Sequence, residues 1–262
     1  MPRLWVLLPC YNEAEALPLL LPRLRDVTAK LDAMDGLAAL IVDDGSTDAS
    51  ANIAAEASAT GDCSFTVELV QHERNRGLGC AMQTGLRHFL EHAAADDWLA
   101  AMDCDNTHPP ELLAQMLNAA QPNSWDVVIA SRYAPGGSES GLSASRRFYS
   151  HACSTGLRSL FRLPGVRDYT CSYRLYRGEA LRTASKLYGG NLITEHGFTC
   201  QAELLIHLAR SGAKIGEVPF ALRYDEKRGR SKMKVAQTIW RYTVLTLREL
   251  FACSRSRGGI RQ

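Results

Sequence analysis

The chain has 262 residues, 46% hydrophobic and 22% charged, enough for one large core. No run approaches the ~20 apolar residues of a spanning helix, and the apolar opening at Leu4 to Leu8 stops at Pro9, too soon for a secretory segment. A net charge of +2 conceals an acidic half, with 8 Lys/Arg against 19 Asp/Glu in residues 1–138, and a basic half, with 22 against 9 in residues 139–262.

The acidic half suits a metal site, and the basic half suits an anionic partner such as a phosphate or an acidic membrane surface. Eight cysteines occur with no C-x-x-C pair, which excludes a zinc ribbon and points to reduced, mostly buried thiols in a cytosolic protein.

Leu4 to Leu8 reads as a buried strand ending at Pro9-Cys10-Tyr11-Asn12-Glu13. Asn12 is the expected cap of a helix carrying Leu17, Leu20, Leu21, Leu24 and Val27. Leu37 to Val42 is a second strand, stopping at Asp43-Asp44-Gly45, with Ser46 or Thr47 as the cap of a helix running to about Ala59. Phe65 to Val70 is the third, and Asn75-Arg76-Gly77-Leu78-Gly79 opens a helix through Leu90. Trp98 to Met102 is the fourth, followed by a helix from Pro109 to Ala119, and Val127 to Ala130 is the fifth.

The alternation predicts an α/β protein with a mostly parallel, doubly wound sheet. Beyond Gly137 the chain reads as an Arg-rich helix (144–161), an extended stretch (166–177), a helix near Phe198 to Ser211, and a strand over Lys214 to Phe220 with Pro219 hinting at an edge. A charged loop (224–234) precedes a helix from Lys234 to Phe251, and residues 254–262 read as a disordered tail.

Asp103-Cys104-Asp105 stands at the end of the fourth strand. Two adjacent carboxylates repel, so a cation is expected between them. A hard divalent ion carrying a diphosphate fits, because Mg²⁺ takes only one or two protein carboxylates and fills its shell with water and phosphate oxygens. In a doubly wound sheet, ligands bind beyond the carboxyl ends of the strands, where Pro9 to Glu13, Asp43-Asp44, Asp103 to Asp105 and Arg132 would gather.

Pro9-Cys10-Tyr11-Asn12-Glu13, Val42-Asp43-Asp44-Gly45-Ser46-Thr47-Asp48, Asn75 to Gly79 and Met102-Asp103-Cys104-Asp105, in this order, resemble a family-2 glycosyltransferase of the GT-A (Rossmann-like) fold. The later motifs resemble the dolichol-phosphate or polyprenyl-phosphate mannosyltransferases: Ser131-Arg132-Tyr133, Arg146 to Ser150, Asp168-Tyr169-Thr170, Gly216 to Pro219 and Gly229-Arg230-Ser231-Lys232. The resemblance covers about residues 4–235. It implies a glycosyltransferase domain over 1–235, with a nucleotide-sugar half (1–138) and an α-rich acceptor half (139–235), then an amphipathic helix (236–253) and no transmembrane helix.

The activity it implies is inverting transfer of a hexose, foremost mannose from GDP-mannose, to a polyprenyl or dolichyl phosphate, with Mg²⁺ or Mn²⁺. Pro9, Tyr11, Glu13, Val42 and Asp44 would hold the nucleoside, and Gln201 would reach either the sugar or the core. Asp103, the Cys104 backbone and Asp105 would hold metal and diphosphate. Arg132 and Lys232 would meet donor phosphates or the acceptor, and Arg146 and Ser150 the acceptor phosphate. Asp105, Arg132 and Lys232 would thus carry catalysis. The partners implied are the nucleotide diphosphate sugar and the polyprenyl phosphate, with peripheral contact to the cytoplasmic face of a membrane, scope for a separate membrane subunit, and no nucleic acid.

A phosphate acceptor is already ionised near neutral pH, its second pKa being about 6, and needs no general base. The alternative is a hydroxyl acceptor on a small molecule, glycan or protein, with a UDP-sugar donor. It needs a base, for which Glu195, Asp168 and His196 are candidates. A sugar-1-phosphate nucleotidyltransferase would instead need a Gly-rich basic loop after the first strand, where Pro9-Cys10-Tyr11 stands.

Overall fold

The structure, a computed structural model, describes residues 1–141, 144–224 and 235–258, and only the backbone of 144–146, 235–236 and 252–258. Three strands built from the apolar runs lead: β1 (Leu4–Cys10), β2 (Leu37–Asp43) and β3 (Phe65–Gln71). Every residue of β2 is buried, as expected of a strand covered on both faces. Helices α1 (Leu17–Thr28), α2 (Ser50–Ser58) and α3 (Leu78–His92) connect them and lead to β4 (Trp98–Ala101). Then come α4 (Leu112–Asn123), β5 (Val127–Ser131), β6 (Ser138–Ser140), α5 (Ala144–Phe161), β7 (Arg174–Arg177), α6 (Gly178–Leu187), α7 (Cys200–Arg210), β8 (Ile215–Pro219), β9 (Ala221–Arg223) and α8 (Val235–Gly258).

Among the described residues, the main sheet has the order β3-β2-β1-β4-β7-β5-β8, and β6 pairs with β9 in a small second sheet. All main-sheet pairings are parallel except those of β7, which runs antiparallel to both β4 and β5. The mostly parallel α/β sheet with a helical C-terminal region is therefore as expected, and no described helix is long and apolar enough to cross a membrane. β1 lies between β2 and β4, so strand order reverses there, and the carboxyl ends of β1, β2 and β4 frame a crevice. Among the described residues β8 pairs with β5 alone and forms the edge, which accommodates the missing N–H of Pro219.

Several local expectations differ. Asn12 is not a helix cap: α1 starts after Ala16 without a side-chain cap. Asn12 instead adopts φ 53°, donates its N–H to Ser46 Oγ (2.8 Å) and accepts from the Thr47 N–H (2.8 Å), clasping two loops together. Neither Ser46 nor Thr47 caps α2; Asp48 Oδ1 receives the Ser50 N–H (2.9 Å) at that end. The Pro109-Pro110 start resolves into tight turns, Leu112 N–H to Pro109 O (3.2 Å) and Leu113 N–H to Pro110 O (3.0 Å), before α4 begins.

Of the stretch expected to be extended from Val166, only Arg174–Arg177 is strand. Asp168 Oδ1 takes the N–H groups of Thr170 (3.1 Å) and Cys171 (3.0 Å), so a side-chain turn replaces the ladder. Helix α6 was hidden in the sequence between two better-marked segments. It buries Leu181 and Ala184 and carries Glu179 in its first turn and Lys186 in its last. α8 continues past Phe251 to Gly258, since nothing before the Gly258-Gly259 pair breaks it; residues 259–262 lie outside the described residues.

The inner face of α8 is pinned to α7. Glu249, 3% exposed, binds Arg210, and Arg210 also donates to the Glu249 carbonyl (2.7 Å). Burial works to raise the Glu249 pKa, but His207, Arg210 and Arg248 overcome it and hold the carboxyl down at about 2. A carboxyl depressed on folding contributes stability that is fully present above its unfolded pKa of about 4.3 and is lost as pH falls through the folded value. The gap in melting temperature between wild type and Glu249→Gln should therefore close as pH is lowered from about 5 towards 2, measured by thermal unfolding across that range.

Candidate active site

A cleft of about 900 Å³ opens beyond the carboxyl ends of the strands. Pro9, Tyr11, Glu13, Asp44, Asp103, Cys104, Asp105, Arg132 and Ser150 all line it, so the topology gathers most of the expected site residues. Val42 does not line it; it is buried within β2, opposite Pro9. Gln201 is 2% exposed in α7 and does not line the cleft; its main-chain carbonyl receives Arg174. The Arg146 side chain and Lys232, with the rest of the 225–234 loop, lie outside the described residues.

The acidic pair is positioned by its flanks. Met102 N–H still bonds Leu7 O (3.2 Å), continuing the β4 ladder, and the chain then turns through Asn106 at φ 64°. The Asn106 amide donates to Ala16 O (3.1 Å), tying the turn to the start of α1. Asp103 N–H donates to His108 Nδ1 (3.0 Å), which places the ring proton on Nε2, 3.9 Å from Asp103 Oδ2. That ring stacks on Tyr173 at 5.0 Å, so His108 supports Asp103 from behind. Asp105 Oδ1 receives the Thr107 N–H (3.2 Å) and hydroxyl (2.6 Å), which orients its carboxylate.

Cys104 is 2% exposed. Its contact with the Cys10 thiol, together with burial, pushes its pKa well above the ordinary thiol value, so it stays protonated. What the motif offers the cleft is oxygen. Two carboxylates at the rim of a roomy cleft fit a hard divalent cation that keeps its remaining positions for water and phosphate. A second cluster, Glu203, His207 and Glu249, is buried between α7 and α8, but Arg210 and Arg248 already neutralise it. It is an ion-pair network outside the cleft.

Asp44, expected to touch the nucleoside, is 3% exposed and works through the backbone. One oxygen accepts from His72 Nδ1 (2.7 Å) and Arg76 N–H (2.9 Å), and the other from Gly77 N–H (2.7 Å). It thereby holds the 75–77 loop, which lines the cleft. Gly77 has φ 92°, and a Cβ on Gly79 would stand 1.6 Å from Glu195 O. These two glycines let residues 194–199 close against the start of α3, with Gly79 N–H bonding His196 O (3.0 Å).

That wall was the part of the site least visible in the sequence. His196, Gly197, Phe198 and Thr199 all line the cleft; the sequence marked the segment through the candidate bases Glu195 and His196 and through the Gly-x-Gly that admits it. The wall is held from outside: Glu203 Oε2 receives the N–H groups of Thr194 and Glu195 (both 2.9 Å), and Arg248 of α8 reaches Thr194, Glu195 and Glu203 at 2.7–3.2 Å.

Arg132 lines the cleft with its guanidinium heavily engaged. Nε and Nη2 donate to the two oxygens of Asp168 (both 2.7 Å), and Nη1 reaches Glu139 (3.1 Å) and Ser150 Oγ (3.1 Å). Burial tends to raise the Asp168 pKa, but Arg132 and backbone N–H groups hold it below the ordinary carboxylate value. Arg132 is thus first an organiser of this wall. Of the three candidate bases, Asp168 is locked on Arg132 and Glu195 on Arg248 and Thr199; His196 lines the cleft, with Nδ1 3.3 Å from Cys80 Sγ.

The family model "Glycosyl transferase family 2" matches residues 5–184. The chain is 36% identical over 231 residues to the undecaprenyl-phosphate mannosyltransferase of Micrococcus luteus, covering 88% of this chain and 87% of that protein. It is 32% identical over 232 residues to the polyprenol monophosphomannose synthase of Mycolicibacterium smegmatis, covering 88% and 81%. Among solved structures it resembles glucosyl-3-phosphoglycerate synthase from Mycobacterium tuberculosis, in complex with Mn²⁺, UDP and phosphoglyceric acid (TM-score 0.59, 20% identity, 100% of this chain and 80% of that one). Mannosyl-3-phosphoglycerate synthase from Rubrobacter xylanophilus is similar in fold (TM-score 0.58, 16% identity, 100% and 76%). With the sheet, the acidic pair and a family match across most of its length, the chain belongs to glycosyl transferase family 2 and is a glycosyltransferase of the GT-A type.

Proposed function

We propose that the protein transfers a hexose from a nucleoside diphosphate sugar to an acceptor that carries a phosphate, with Mg²⁺ or Mn²⁺ held by Asp103 and Asp105. The observation that carries this reading is the acidic pair, braced by His108 and Thr107, at the rim of the cleft. When bound, the divalent cation neutralises the charge that develops on the leaving diphosphate. The chain's own task is to hold the reactants. The 75–77 loop clamped by Asp44 and the 194–199 wall enclose the donor, while Ser150 and Arg132 stand at the acceptor end. Lys232 is proposed as a further cation for the diphosphate.

Two acceptors follow from different relatives. The mannosyltransferases that act on prenyl phosphates, 36% and 32% identical, support mannose, GDP-mannose as donor and a polyprenyl phosphate whose oxygen attacks without a base. Arg132 would then release Glu139 to receive the phosphate, and Arg146 is proposed as a further cation for it.

The solved structures, whose ligands include UDP-glucose, phosphoglyceric acid and glycerol 3-phosphate, support a hydroxyl acceptor instead. That reading is favoured by the engagement of Arg132 with two carboxylates, and it assigns the proton to His196. A radiolabelled sugar nucleotide offered with polyprenyl phosphate or with phosphoglyceric acid separates them. Label that enters butanol and is released by mild acid marks the lipid phosphate; acid-stable, water-soluble product marks the hydroxyl. No product from either, with Mg²⁺ or Mn²⁺ present, would reject the phosphate-bearing acceptor.

A further inference from the structure

Helix α8 is apolar on two sides. Tyr242 and Leu245 face inward, 8% and 0% exposed, whereas Trp240 (68%), Val244 (43%), Leu247 (51%) and Phe251 (68%) stand in solvent. Positions 240, 244, 247 and 251 fall on one stripe of a 3.6-residue helix. Helix α5 packs against α8 and adds Phe148 at 69% exposure. The same two helices form one side of the cleft through Tyr149, Ile239 and Tyr242, so this outer face lies beside the acceptor end.

Charge decides what could cover it. α5 contains no Asp or Glu but three arginines, and the single acid of α8, Glu249, is buried against Arg210. The exposed surface of α5 is therefore cationic, with Arg147 and Arg158, and the outer stripe of α8 beside it is apolar, its Arg241 turning to the cleft and its Arg248 to Glu203. A second copy of the chain docked here would bring like charges together. An anionic bilayer brings opposite ones, and a stripe of Trp, Leu and Phe beside arginines is the composition that settles into a headgroup layer.

We propose that the α5–α8 face docks the protein on an anionic membrane surface, with Trp240, Leu247 and Phe251 entering the headgroup region and arginines meeting lipid phosphates. This deepens the lipid-phosphate reading and rests on it for its purpose, because a docked α8 would hold the acceptor end of the cleft against the layer that contains a prenyl chain.

The test uses the full chain and vesicles that contain no polyprenyl phosphate, so that docking is measured apart from acceptor choice. The protein should co-sediment with phosphatidylcholine vesicles containing phosphatidylglycerol, bind pure phosphatidylcholine weakly, and be released by salt. Brominated lipid should quench Trp240 fluorescence, with Trp240→Phe as the control. The double variant Leu247→Gln/Phe251→Gln should lose about tenfold in partition, with unchanged circular dichroism and unchanged turnover on detergent-dispersed acceptor. Failure to bind anionic vesicles, equal binding by the double variant, or a concentration-dependent dimer that the double variant abolishes would each overturn the proposal. A docking protein that makes no prenyl-linked product would leave docking standing and sink the acceptor reading alone.

Discussion

Asp105→Ala is expected to lower turnover at least about a hundredfold, roughly 2.7 kcal/mol of transition-state stabilisation. The side chain is 6% exposed, and Thr107 fixes one of its oxygens, so its carboxylate is aimed before any ligand arrives. Removing it leaves the proposed cation with Asp103 alone, while the leaving diphosphate still develops its charge. The fold should survive, because the hydrogen bonds to Thr107 lie within one turn and contribute about 1 kcal/mol each. Calorimetric titration of nucleoside diphosphate with and without Mn²⁺ checks the cause. Metal-dependent binding should vanish in the variant, whereas retained metal-dependent binding with normal turnover would remove Asp105 from the role. Asp105→Asn, which keeps the shape and the bond to Thr107 but not the charge, should behave like the alanine variant.

Glu203→Leu should produce the largest loss of stability. The carboxylate is fully buried; one oxygen receives two backbone N–H groups and the other Arg248 and the Thr194 hydroxyl. Leucine leaves those donors without their acceptor at the base of the 194–199 wall, a cost of about 3 kcal/mol. Arg248→Met should cost less, about 1 kcal/mol or below, because Arg248 is 40% exposed and water can replace its partners. Both changes should loosen the wall against Gly77 and Gly79 and raise the donor KM. The check is urea unfolding alongside donor kinetics. A Glu203→Leu protein as stable as wild type would show that the wall is held by packing alone.

Arg132 shows what a local motif leaves out. The resemblance implied a contact to donor phosphates or the acceptor, and the guanidinium also spans Asp168 and Glu139. Phosphate can engage it only by exchanging with a carboxylate. Asp44 is a similar case: it lines the cleft as expected, and its carboxylate also clamps the loop that forms the cleft wall. Asn12 was legible as a polar punctuation mark, yet its true partners lie in the loop after β2.

By itself the chain determined the alternation of buried strands and helices, the parallel sheet, and the gathering of Pro9 to Glu13, Asp44 and the Asp103–Asp105 pair at one rim. Each of these depends on side chains close in sequence: an apolar run is a buried strand wherever it sits, and the ends of parallel strands share one edge. Only the tertiary structure decided that Arg132 is spent on Asp168, 36 residues away, and that Arg248 holds Glu203 across 45 residues. It also decided that residues 194–199 lean on Gly77 and Gly79 and that α8 keeps a second apolar stripe outside. Charge pairing is non-local and many carboxylates could have served each arginine, so the choice among them is made by which helices the core packs side by side.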